Sequence, residues 1–169
     1  MAMQLDNRMG IAALVLSAAA LVGLAVDEGY TAKAVPDPVK GKAVPTIGFG
    51  TTGGVHMGDT TTPVQALQRK FRDVQTFEGA VKRCVQVPLY QYEYDAYINL
   101  TYNIGPAAFC GSSIVKRLNA GDYTGACNAI LMWKKVGDVD CSVPGNNLCP
   151  GLWARRQRLQ RQCLGQVKQ

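Results

Sequence analysis

Two carboxylates raise the first chemical question. Glu28 follows an uncharged run from Met9 to Val26, and Asp37 stands eight intervening residues later between Pro36 and Pro38. Two carboxyl groups in unlike surroundings suit the cleavage of a glycosidic bond. One stays protonated and donates to the leaving oxygen, while the other stays ionised to direct water or stabilise an oxocarbenium-like transition state. At the end of an apolar helix, desolvation favours the protonated form of Glu28, whereas a Pro-rich turn leaves Asp37 solvated and ionised. A polar helix terminus and an ordinary turn residue account for the same two positions, so the pair shows suitability and not use. His56 is the only histidine and lies in a Gly-rich loop, where a surface role is the simpler reading and a catalytic base the alternative. The six cysteines contain no CxxC, so ligands at metal-binding spacing are missing and no metal or cofactor is expected.

The elements that must position these groups are legible in outline. Met9–Val26 has nine Gly, Ala or Ser among its eighteen residues. As a helix it would reach about 27 Å, just short of a bilayer core, and its small side chains make membrane residence marginal. Four readings are open: a cleaved signal peptide, with Ala18-Ala19-Ala20 as its site; a stable anchor; a signal-anchor that inserts and later leaves; or an ordinary buried helix. The Pro- and Gly-rich stretch 29–58 predicts a small antiparallel sheet with hairpin turns. Thr62-Pro63 predicts a capped helix start, with Val64, Leu67, Phe71, Val74 and Phe77 as its apolar face, running to about Cys84. Helices are further expected at about 91–102, after Ser112 or Ser113, at 124–133 and at 152–164, with a loop over 136–150. The fold class is α+β and predominantly helical: a sheet lobe and a larger helical lobe joined by a long helix.

The 169 residues fit one domain with a sizeable core. A formal net charge of +6 favours polyanions such as cell-wall polymers, anionic lipid or nucleic acid, but no nucleic-acid module is recognisable. Six scattered cysteines read better as disulfides of an oxidising compartment than as reduced core thiols, with 15 pairings open in principle. Cys127 and Cys163 point from two helices toward one core, which makes them the first pair; Cys141–Cys149 closes the intervening loop; Cys84–Cys110 remains. Tyr90, Tyr92, Tyr94, Tyr97 and Tyr102 could stack on sugars, though helical spacing favours packing. Arg155, Arg156, Arg158, Arg161 and Lys168 form a basic end that could touch anionic wall polymer or membrane, with an ordinary solvated helix face the simpler reading.

The stretch from Glu28 resembles the phage-type lysozymes, endolysins of glycoside hydrolase family 24. In that family a Glu near the end of the first helix is followed by eight residues and an Asp or Cys, then five residues and a Thr. Glu28 and Asp37 match. The third member falls on Thr46, in a Thr46-Ile47-Gly48-Phe49-Gly50 run similar to the family's Thr-Ile-Gly-x-Gly strand. Eight residues separate it from Asp37, so the hairpin Pro38–Pro45 carries three extra. Tyr102-Asn103-Ile104-Gly105, Asn119-Ala120-Gly121-Asp122-Tyr123 and Gly151-Leu152 followed by Arg155-Arg156 add matches in order, without the acid that often follows the Arg pair.

The resemblance implies a lysozyme-like fold with a cleft between its lobes. It also implies a muramidase that hydrolyses the β-1,4 bond between N-acetylmuramic acid and N-acetylglucosamine during host cell lysis. Glu28 would protonate the glycosidic oxygen, Asp37 would act on the attacking water and stabilise positive charge, and Thr46 would help hold that water. Family precedent implies inversion. The partner would be peptidoglycan glycan strands, with no cofactor. The N-terminal run resembles the signal-anchor-release type, which implies an uncleaved segment 1–27 ahead of a catalytic domain 28–169. Residues 9–26 would then associate transiently with the inner membrane, and a monomer would be released into the host periplasm. A membrane-tethered, disulfide-rich wall-binding protein without turnover is the rival reading. A zinc amidase is opposed by the single histidine.

Overall fold

The computed structural model describes residues 7–37 and 41–166, the side chains of residue 37 and of 41–43 excepted. Pro38–Lys40 of the expected hairpin loop, the Asp37 side chain and Lys168 therefore lie outside the described residues. The chain forms two compact units, one of residues 17–76 and one of the residues up to Leu16 together with those from Phe77 onward.

The first unit is built from α1 (Ala18–Glu28), the antiparallel strands β1 (Thr31–Asp37) and β2 (Gly41–Gly48), and the first part of α2 (Pro63–Cys84). Ser17 opens α1 because its Oγ accepts from the Ala20 N–H at 3.1 Å, satisfying one orphan donor of the first turn. In this structure the α-helical part of the Met9–Val26 run begins at Ala18. Among the described residues no helix is long and apolar enough to cross a membrane. Residues 59–61 run along the free edge of β1, through Ala34 N–H to the Asp59 carbonyl and Thr61 N–H to the Ala32 carbonyl, both at 2.9 Å. Ala34, Ile47 and Val55 form the small core of this sheet. α2 starts as its sequence predicts: Thr62 Oγ1 accepts from Gln65 N–H, Gln65 Oε1 accepts from Thr62 N–H, and Pro63 occupies the first helical position.

The second unit packs α3 (Gln91–Ile104) against α7 (Pro150–Cys163), with α4 (Pro106–Cys110), α5 (Ser113–Asn119) and α6 (Tyr123–Ala129) around them. A minimal hairpin, β3 (Lys135–Val136) with β4 (Val139–Asp140), occupies part of the expected 136–150 loop. Disulfides join Cys84–Cys110, Cys127–Cys163 and Cys141–Cys149. Gly105, at φ 90°, ends α3, and Pro106 at once begins α4, a turn of helix that the sequence pattern did not disclose.

Residues 8–16 lie on this unit as a strap, extended at both ends and interrupted by a single 3-10 turn over Ile11–Ala13. Met9 exchanges backbone hydrogen bonds with Leu89, Leu14 and Leu16 are buried, and the Gln91 amide donates to the Val15 carbonyl. The Leu16 N–H donates to Glu78 Oε1, which also accepts from the Tyr94 hydroxyl. Alternate burial of Leu14 and Leu16, with Val15 outward, is the signature of extended chain. Arg8 fastens the start of the strap: Nε and Nη2 donate to the two oxygens of buried Glu93, and the guanidinium lies over the rings of Tyr90 and Tyr123.

Candidate active site

Glu28 is the last residue of α1 and is half-buried. The chain leaves the helix through Gly29 at φ 68°, a left-handed turn that directs Tyr30 into β1. Tyr30 is held there by its hydroxyl, which donates to the Thr61 carbonyl, and by the Phe49 ring at 5.2 Å.

The Glu28 carboxyl meets the turn that follows β2. Ile47 and Thr51 exchange both backbone hydrogen bonds, closing a tight loop over Gly48-Phe49-Gly50. A Cβ at Gly50 would stand 3.1 Å from Glu28 Oε2 and 3.3 Å from Glu28 Cβ, so bare backbone is what allows the approach. At Gly48 a Cβ would come within 2.7 Å of the Ala66 Cβ, so α2 abuts the same turn from another side. This gives the Thr-Ile-Gly-x-Gly run a physical meaning, since each glycine is a point of close packing.

Thr46 precedes that turn on β2 and pairs with Val35. Asp37 ends β1 and pairs with Gly41, whereas Pro36 pairs with Pro45. The register thus jumps by three between Pro36 and Asp37, and the three extra residues of this hairpin are absorbed as a bulge on β2. Thr46 keeps its place next to the turn despite the insertion. The strands bring the backbones of Asp37 and Thr46 onto one hairpin, and the Gly48–Gly50 turn brings that hairpin to Glu28.

Three residues that sequence reasoning passed over support the turn. Thr51, buried, donates through Oγ1 to Asp73 Oδ2 at 2.7 Å. Lys70, also buried, donates through Nζ to the Phe49 carbonyl at 2.9 Å. Arg69 donates to the Gly53 carbonyl. The buried residues of α2 are Ala66, Lys70, Val74, Glu78, Ala80 and Val81; Val74 belongs to the expected apolar face, while Val64, Leu67 and Phe71 of that face are exposed. The expectation holds at Val74 and fails at Val64, Leu67 and Phe71, because the early turns of the helix present Lys70 and Asp73 to the Phe49 carbonyl and the Thr51 hydroxyl.

Other candidates resolve into structure. His56 is exposed and sits 4.0 Å from Asp59. Tyr94 and Tyr97 are fully buried, and burial pushes both phenols well above their ordinary range. Tyr102 packs on Phe77, and Tyr90 stacks on Tyr92. Of the basic end, Arg158 and Arg161 are exposed, but Arg155 and Arg156 are not. Arg155 Nε donates to Asn99 Oδ1, and Arg156 donates to the Trp133 carbonyl and to Asn103. Burial, with help from neighbouring Arg155, brings the Arg156 pKa down to about 10. The Asn119 run is likewise architectural: Asn119 accepts from the Gln86 N–H and donates to the Cys84 carbonyl, and Asp122 caps α6. The Gly125 N–H, then the Arg117 guanidinium, hold the Asp122 carboxyl below its usual range. An apolar pocket of about 400 Å³ lined by Val22, Ala25, Val26, Gly29, Tyr30, Phe49 and Leu67 contains no carboxyl group. It does not supply the acid–base pair. Among the described residues no cluster of His, Cys, Asp and Glu could hold a metal ion.

Comparison with known proteins places this arrangement. The family model described as phage lysozyme matches residues 25–158. The chain is 38% identical over 135 residues to the endolysin of Salmonella phage P22, covering 76% of this chain and 90% of that protein. It is 41% identical over 148 residues to the SAR-endolysin of Pseudomonas phage phiKMV, covering 87% of each. Among solved structures, an endolysin from Escherichia coli O157:H7 phage FAHEc1 superposes with a TM-score of 0.78 at 35% identity, covering 93% of this chain and 98% of that one. A P22 lysozyme mutant superposes at 0.75 and 35% identity, covering 89% of this chain and 99% of that one.

Proposed function

This chain belongs to the phage lysozyme family, and on that premise we propose that Glu28 is the acid of its reaction, with Asp37 and Thr46 acting on the attacking water. Membership makes it a glycoside hydrolase, a muramidase that degrades peptidoglycan for host lysis. The observation that carries the residue assignment is the seating of the Glu28 carboxyl against the Gly50 backbone, on the turn continuous with the Thr46 strand. A carboxyl held between helix end and turn has one defined direction, as donation to a glycosidic oxygen requires. Asp37 lies on the partner strand, where an ionised carboxylate can direct water and offset positive charge at the anomeric carbon. Release of new reducing ends by Glu28→Gln tests the assignment.

The cellular reading is of the signal-anchor-release kind, in keeping with the SAR-endolysin relatives. Residues 9–26 enter the inner membrane as a weakly apolar, uncleaved segment and later leave it. In the released enzyme the same residues divide, residues 9–16 joining the strap and 18–26 joining α1. While the segment is in lipid, α1 does not deliver Glu28 to the Gly50 turn and the strap positions on the helical unit are unfilled. The tethered enzyme is therefore inactive. No cysteine lies in residues 1–83, so thiol exchange through a cysteine of that segment is excluded and release rests on refolding. Replacing Ala18 and Ala20 by Leu strengthens anchoring, and lysis is expected to be delayed. Unchanged lysis timing, with the double variant still in the membrane fraction of unlysed cells at wild-type level, would remove the release reading and leave the catalytic one standing.

A further inference from the structure

Lys70 is the only buried lysine among the described residues. Taking an ammonium out of water is costly, and a Leu or Met would fill the same space on α2 without that cost. Its Nζ donates to the carbonyl of Phe49, whose peptide unit runs directly into Gly50, the residue lying on Glu28. Ala66, Lys70 and Asp73 stand at i, i+4 and i+7 and so share one face of α2. Along that face they meet three successive parts of the turn: Ala66 abuts Gly48, Lys70 holds the Phe49 carbonyl, and Asp73 holds the Thr51 hydroxyl. Ala66 contributes only shape, and Asp73 acts beyond Gly50. Lys70 alone of the three bonds to the peptide that carries Gly50.

We propose that Lys70 is a positioning residue for the acid: its buried ammonium, bonded to the Phe49 carbonyl, fixes the Phe49–Gly50 backbone against the Glu28 carboxyl. This rests on reading Glu28 as the acid. Without the ammonium the turn keeps its Ile47–Thr51 closure, but the Phe49–Gly50 peptide is free to rotate about its two flanking bonds. The carboxyl then loses the surface that sets its direction. A misplacement of about 1 Å is enough to cost about a hundred-fold in rate.

Lys70→Met removes both charge and donor at similar length, and Lys70→Gln restores an uncharged N–H donor. On soluble, uncross-linked glycan strands, Lys70→Met is expected to lower kcat about 10- to 100-fold with KM changed less than two-fold. Lys70→Gln is expected to fall between it and the wild type. Rates are taken per folded protein, with the melting transition recorded for each variant. The amide resonance of Gly50 reports the hydrogen bond to the Phe49 carbonyl and is expected to move in both variants. The proposal is overturned if Lys70→Met turns over within two-fold of wild type, or if its loss appears in KM rather than kcat. Should Lys70→Met not fold, Lys70→Gln decides: wild-type kcat with an unmoved Gly50 resonance overturns the proposal. Glu28→Gln is assayed alongside. Turnover by that variant overturns the acid assignment itself, whereas an inactive Glu28→Gln beside a fully active Lys70→Met overturns the Lys70 role alone.

Discussion

Glu28→Gln is expected to reduce peptidoglycan hydrolysis about a thousand-fold while the melting transition stays where it is. Glutamine matches glutamate in shape, so α1, the Gly29 exit and the contact with Gly50 persist. What disappears is the transferable proton, and a positioned general acid contributes about 10²- to 10⁴-fold to turnover. The adjacent carboxylate, Asp27, is also half-buried and supplies the control. Successive residues of a helix do not face the same way, so Asp27 does not share the Glu28 approach to the turn. Asp27→Asn is therefore expected to stay within a few-fold of wild type. Wild-type turnover by Glu28→Gln, or an equal loss in Asp27→Asn, would place the acid elsewhere.

Arg8→Ala is expected to have the largest effect on stability, about 3 kcal/mol, read as a fall of roughly 10 °C in the melting transition. Two fork-like bonds from Arg8 neutralise Glu93, which is only 3% exposed and also accepts from the Tyr90 N–H. Removing the guanidinium leaves that buried carboxylate uncompensated and strips a cation from two aromatic faces. Arg8→Ala combined with Glu93→Gln should recover much of the loss, because the stranded charge goes with the partner. Arg8→Lys should not, since an ammonium does not reproduce the planar fork. A loss below about 1 kcal/mol in Arg8→Ala would mean that the strap is only loosely held. For the release reading the same variant has a second consequence: a strap that docks weakly withdraws less readily from lipid, and lysis is delayed.

The start of α2 was legible because its signals are local, in Thr62, Pro63 and Gln65. The disulfide partners Cys127 and Cys163 were legible because each lies on a recognisable helix face. The N-terminal run was not. All of Leu14, Val15 and Leu16 are apolar, so the alternation that marks extended chain is invisible, and the partners that settle it, Leu89, Gln91 and Glu78, are far along the sequence. Arg155 and Arg156 looked like a solvated face for the same reason: Asn99, Asn103 and the Trp133 carbonyl receive them from remote positions. On the hairpin, motif order located Thr46 beside the turn, and the three extra residues were absorbed in a bulge without displacing it. Lys70 and Asp73 escaped notice because polar residues on an amphipathic helix read as its outer face. Their inward turn is set by a loop about twenty residues earlier, by the Phe49 carbonyl for Lys70 and the Thr51 hydroxyl for Asp73.

The central claim is that Glu28 donates a proton while Asp37 works through a water on the opposite face of the sugar. The measurement that bears on it most directly is the anomeric form of the N-acetylmuramic acid end in the first moments of hydrolysis, followed by proton NMR faster than mutarotation. A water directed by Asp37 inverts the β-linkage, so the α-anomer is expected first. First appearance of the β-anomer would mean a covalent or otherwise double-displacement route, and would contradict the role given to Asp37.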